Sequence, residues 1–88
     1  MGKFTLKYRP EVMTLNDMCV FERPASYVEV RELLAKHIIN GTGEYVEDAE
    51  RAQKMVGAVP TKEAGKLLNQ LYKQMNDYNR REIEADPN

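Results

Sequence analysis

The sequence predicts a mostly α-helical domain: a compact bundle of about four helices preceded by one short N-terminal β-strand. Three observations carry this. Residues 3–9 alternate apolar and polar. Two segments open with capping-box spacing, Thr14 to Asp17 and Ser26 to Glu29. Apolar residues recur at helical period from Ala64 to Tyr78.

In the first element Phe4, Leu6 and Tyr8 point one way, and Lys3, Thr5, Lys7 and Arg9 the other, as in a half-buried strand. Pro10 ends it, since it has no amide to give a ladder. Thr14 then caps a short helix with Leu15, Met18, Cys19 and Glu22 on one face and Phe21 to the side, and Pro24 stops it. Ser26 opens a second helix that runs to about Ile39, with Tyr27, Val30, Leu34, His37 and Ile38 on one face. Asn40-Gly41-Thr42-Gly43 ends it with residues that tolerate left-handed geometry.

A third helix is expected from Glu44 to Val56. Tyr45, Ala49, Ala52 and Val56 make a narrow face whose small residues let another helix approach, and Gly57 follows as the C′ residue. The last helix begins at Val59-Pro60-Thr61 with Thr61 as N-cap. Ala64, Leu67, Leu68, Leu71, Met75 and Tyr78 form its apolar stripe. Glu82 falls on that stripe, where a carboxylate is costly to bury, so packing is expected to end near Tyr78–Arg81. The domain is therefore residues 1–81, and residues 82–88 are a flexible polar tail. No repeat or low-complexity linker interrupts the chain.

Composition narrows the function classes. The 88 residues carry 13 Lys+Arg and 14 Asp+Glu, a near-neutral balance unlike that of dedicated nucleic-acid binders. Cys19 and His37 are the single cysteine and the single histidine, so an internal disulfide and a Cys/His zinc site are both excluded. The two are also the one conceivable nucleophile pair. Thiols on apolar faces mostly behave as small hydrophobes, so a structural role is favoured. No apolar run reaches the roughly 18 residues of a membrane span, and the N-terminus lacks the apolar core of a secretory signal. A cytoplasmic protein with no membrane association is expected. Gly41-Thr42-Gly43 is too short to cradle a phosphate, and no nucleotide loop occurs elsewhere. No cofactor, no metal and no enzymatic activity are expected.

Two features remain as candidate sites. The first is the strand itself. A single strand has unpaired amides and carbonyls on both edges. Residues 11–13 or another segment must pair back, or the strand adds to a sheet in another chain. Phe4, Leu6 and Tyr8 are then the partner-binding residues. The second is a ridge on the last helix, opposite the leucines, where Lys62, Lys66, Lys73 and Arg80 line up with Asn69 and Asn76. It suits phosphates or an acidic partner, or it neutralises Glu44, Glu47, Asp48 and Glu50 across the bundle. Those four acids read as dipole-stabilising residues at a helix start rather than a calcium loop, whose ligand spacing they lack.

The layout resembles that of small phage tail-assembly chaperones. The likeness rests on a short N-terminal β segment, a threonine-capped helix such as Thr14-Leu15-Asn16-Asp17-Met18, and a compact helical body, over roughly residues 3–78 in arrangement. The resemblance implies binding to an unfolded or helical tail component during assembly and supplies no catalytic residues. The expected function is thus a non-enzymatic interaction or assembly module that binds a protein partner or a second copy of itself. The alternative is a small nucleic-acid-binding or regulatory protein using the basic ridge.

Overall fold

The computed structural model describes residues 4–22 and 25–85, with side chains through Arg81. Its elements are β1 (Thr5–Leu6), a single 3-10 turn (Pro10–Val12), α1 (Leu15–Glu22), α2 (Tyr27–Ala35), β2 (Ile38–Ile39), α3 (Ala49–Gly57) and α4 (Thr61–Ala85). The mostly helical fold with a short N-terminal strand is as expected. Lys3, the Pro24 stop and tail residues 86–88 lie outside the described residues.

Both capping boxes form. The Thr14 hydroxyl accepts from the Asp17 amide at 3.2 Å, and Asp17 returns a carboxylate to the Thr14 amide at 3.1 Å. Ser26 and Glu29 exchange the same pair of bonds at 3.2 and 3.3 Å. Each box satisfies amides that a helix start otherwise leaves open.

The largest correction concerns the end of α2. The helix stops at Ala35, and Ile38–Ile39 form a strand that pairs antiparallel with β1, Thr5 opposite Ile39 and Leu6 opposite Ile38. Two adjacent β-branched residues favour this extended backbone, and pairing answers the open edge of β1. Residues 11–13 do not pair back, since Val12 and Met13 donate within the 3-10 turn. The chain then reverses on Asn40. Its side-chain oxygen accepts from the Thr42 amide, the Thr42 hydroxyl and the Glu44 amide, and Gly43 takes a φ of 85°. Only glycine adopts that angle without a steric penalty.

This return segment displaces the expected start of the third helix. Tyr45 bridges to Ile39 and the Val46 amide donates to the Ile38 carbonyl, so residues 44–48 are not helical. α3 begins at Ala49 with Asp48 as its N-cap. In α4 the Pro60 carbonyl accepts from the Ala64 amide, which makes Thr61 the first helical residue rather than the cap. The helix continues to Ala85, four residues beyond the expected end of the domain at Arg81.

The core gathers Leu6, Val20, Leu33, Leu34, Ala35, Ile38, Ala52, Val56 and Leu71, and α2 packs against both α3 and α4. The small Ala52 allows the close approach of α3 that its sequence predicts. Several residues assigned to apolar faces stay outside: Leu15 at the start of α1 and Tyr27 at the start of α2 are 86% and 79% exposed, and Cys19, Ala49 and Tyr78 are exposed as well.

Candidate interaction surfaces

The strand end of the molecule is closed. On one edge the Lys7 amide donates to the His37 carbonyl at 2.7 Å and the Arg9 amide to His37 Nδ1 at 2.9 Å. On the other edge Gln74, from α4, stands where a neighbouring strand would. Its Oε1 accepts from the Tyr8 amide at 2.8 Å and its Nε2 donates to the Leu6 carbonyl at 3.1 Å. The far edge of β2 is covered by Val46. The strand therefore finds its mates inside the chain over Leu6–Tyr8. Of the residues expected to meet a partner, Leu6 is in the core, Phe4 is half-buried against it, and Tyr8 stacks on the His37 ring at 5.5 Å.

His37 is the polar centre of this end and is fully buried. Because Nδ1 accepts a hydrogen bond, the neutral ring carries its proton on Nε2. Among the described residues Nε2 has no hydrogen-bond partner. Burial pushes the imidazole down to about 4, against the nearby Asp17 carboxylate, which favours its charged form. Burial also raises the Tyr8 and Tyr45 hydroxyls. The Tyr45 hydroxyl donates to the Tyr8 carbonyl at 3.1 Å, and the Arg9 guanidinium lies 4.5 Å above the Tyr45 ring. Arg9 also pairs with Glu11 at 3.0 Å and Glu47 at 2.8 Å. Lys36 pairs with Asp17 at 2.8 Å; although burial pushes the Asp17 carboxyl up, this ammonium and the Thr14 amide outweigh it and hold the group below its usual range.

Cys19 is exposed on α1, and it shares no hydrogen bond with His37 among the described residues. The four acids do not form one cluster at a helix start. Glu47 binds Arg9, Asp48 caps α3, Glu50 faces Lys54 at 3.6 Å, and Glu44 lies in the turn. Among the described residues no group of three or more Cys, His, Asp or Glu is placed to hold a metal ion.

The basic ridge is where the sequence puts it. Lys62, Lys66, Lys73 and Arg80 are all exposed on the outer face of α4, spread over about 27 Å of helix. Lys66 faces Glu63 of its own helix at 3.9 Å. Among the described residues no ion pair links the ridge to the acids of the 44–50 segment.

A surface that sequence reasoning missed lies at the opposite end of α2. Val30, Leu34, Val56, Val59 and Ala64 floor an open groove of about 200 Å³ where α3 ends and α4 begins. Tyr27, Val28 and Arg31 line it from α2. Val28 is 50% exposed and Tyr27 more so. The groove stays open because the residues across from them are small: Gly57, Thr61 and Ala64. Its volume is below the roughly 300 Å³ at which small-molecule pockets begin, and suits one large side chain. A second cleft, about 290 Å³, runs past Arg9, Glu32, Lys36 and Glu47. Its two cations already hold carboxylates.

No helix among the described residues is long and apolar enough to cross a membrane. Comparison with family models, with curated proteins and with solved structures finds no match to this chain.

Proposed function

We propose that this chain is a non-enzymatic protein-interaction module that binds its partner on a helix face, through the groove between α2 and the α3–α4 corner. The observation that carries the reading is the exposure of Tyr27 and Val28 beside an apolar floor. A lone exposed side chain such as Leu15 needs no account. An exposed tyrosine and valine continuous with a groove differ, because one anchor side chain entering there covers them together. Covering that surface is worth on the order of 3 kcal/mol. An assembly role of the kind implied by the tail-chaperone resemblance is one form of this function. The matching of the Leu6 carbonyl and the Tyr8 amide by Gln74 speaks for the helix face rather than for strand addition through Phe4, Leu6 and Tyr8.

The second reading, binding of nucleic-acid phosphate along α4, is favoured by the one-sided exposure of Lys62, Lys66, Lys73 and Arg80. Affinity capture from the cells that make the protein separates the two. If the groove is the site, Val28→Glu loses a captured protein that Lys66→Glu/Lys73→Glu retains. If the ridge is the site, the double lysine variant instead loses a bound nucleic acid, and retention by wild type falls steeply with salt.

A further inference from the structure

The groove carries a charge preference as well as a shape. Among the described residues Arg31 is the one charged residue that lines it. Its stem lies across the end of α3, with Cδ 3.5 Å from where a Cβ on Gly57 would stand. Among the described residues no carboxylate pairs with it. Glu50, which shares a neighbouring cleft with Arg31, pairs instead with Lys54. The cleft past Arg9 differs, since its Arg9 and Lys36 are already neutralised by Glu11, Glu47 and Asp17. An unpaired guanidinium beside an apolar floor is complementary to one ligand chemistry: an apolar anchor next to a carboxylate. A carboxylate there gains a charge-assisted, two-pronged hydrogen bond that no neutral residue supplies.

Resting on the interaction-module reading above, we infer that the groove takes an acidic–apolar segment of a partner protein, with one large apolar side chain seated on Val30, Val56 and Ala64 and a neighbouring Asp or Glu on Arg31. A basic segment is rejected at the same point, because its charge meets Arg31.

Selection of a randomised peptide library displayed on phage against the purified full chain tests this. Both side chains to be changed are exposed, and circular dichroism verifies that Val28→Glu and Arg31→Glu remain helical. Wild type is expected to enrich peptides with an apolar residue flanked by Asp or Glu. Fluorescence anisotropy with the enriched peptide should show binding lost in Val28→Glu and weakened about tenfold in Arg31→Glu. The same peptide with Lys in place of its acid should recover on Arg31→Glu. Apolar enrichment that depends on Val28 but shows no acidic preference overturns the inference and leaves the interaction groove standing. Enrichment that ignores Val28 overturns both. A dimer in light scattering that Val28→Glu dissolves also overturns the inference, because the occupant is then a second copy.

Discussion

The two ends of α2 solve opposite problems. At its C-terminal end the chain buries backbone and a histidine, and nearly every polar group there is matched: Lys7 and Arg9 by His37, Leu6 and Tyr8 by Gln74. At its N-terminal end the chain leaves apolar surface uncovered, with Tyr27 and Val28 over a groove walled by small residues. The first end is where stability is concentrated, because leaving any one of those groups unpaired incurs its desolvation penalty. The second is where surface remains to be covered by something else. In so small a domain, with little core to spare, this division is informative.

Acid should break the matched end first. The His37 imidazole titrates near 4 in the fold and near 6.5 in the unfolded chain. Between those values the unfolded state holds the extra proton, so stability is complete above about pH 6.5 and declines as pH falls toward 4. The loss amounts to about 3 kcal/mol, and protonation of Nδ1 also breaks the bond from the Arg9 amide. Glu11 and Asp17, both held below their usual carboxylate values, remove further stability as pH falls through their own folded values. Urea melts across this window should show the decline. His37→Asn, which keeps an acceptor but does not titrate, should flatten it. An unchanged slope in that variant would place the acid sensitivity elsewhere.

The next largest effect is at Gln74. Gln74→Leu preserves size but leaves the Leu6 carbonyl and the Tyr8 amide without partners. The expected cost is about 2 kcal/mol in the urea midpoint. It also opens the outer edge of β1, so self-association through that edge should rise above that of wild type at high concentration. A variant as stable as wild type would mean that water replaces the amide without penalty. Smaller again is Ser26→Ala, which removes the cap of α2 and should cost about 1 kcal/mol in thermal melts.

This division also explains what was legible in the sequence. Local chemistry announced itself: both capping boxes and the leucine stripe of α4 follow from neighbours three or four residues apart, as does the pairing of Ala52 with Val56 on the inner face of α3. The matched end did not. Ile38 continues the helical spacing of Val30 and Leu34, and only pairing with residues more than thirty positions earlier makes Ile38–Ile39 a strand. Their β-branching just before an Asn-Gly turn was the available signal. Gln74 carries no signal at all, being one polar residue beside an apolar stripe. The groove was hidden for the converse reason. Helical period put Tyr27 on the inner face of α2, but what lies opposite is Gly57 and Ala64, and periodicity does not report the size of a neighbour on another helix.

The smallest stability change is the most discriminating. If Tyr27 serves a partner rather than the fold, Tyr27→Ser should alter the urea midpoint by no more than about 0.5 kcal/mol, as expected for an exposed site without special contacts. The same substitution should weaken the groove-dependent peptide, because it removes an aromatic wall of the site. The contrast with Gln74→Leu is then complete, with one residue needed for folding and not for binding and the other the reverse. A destabilisation of several kcal/mol in Tyr27→Ser would erase that contrast and make the groove rim part of the core.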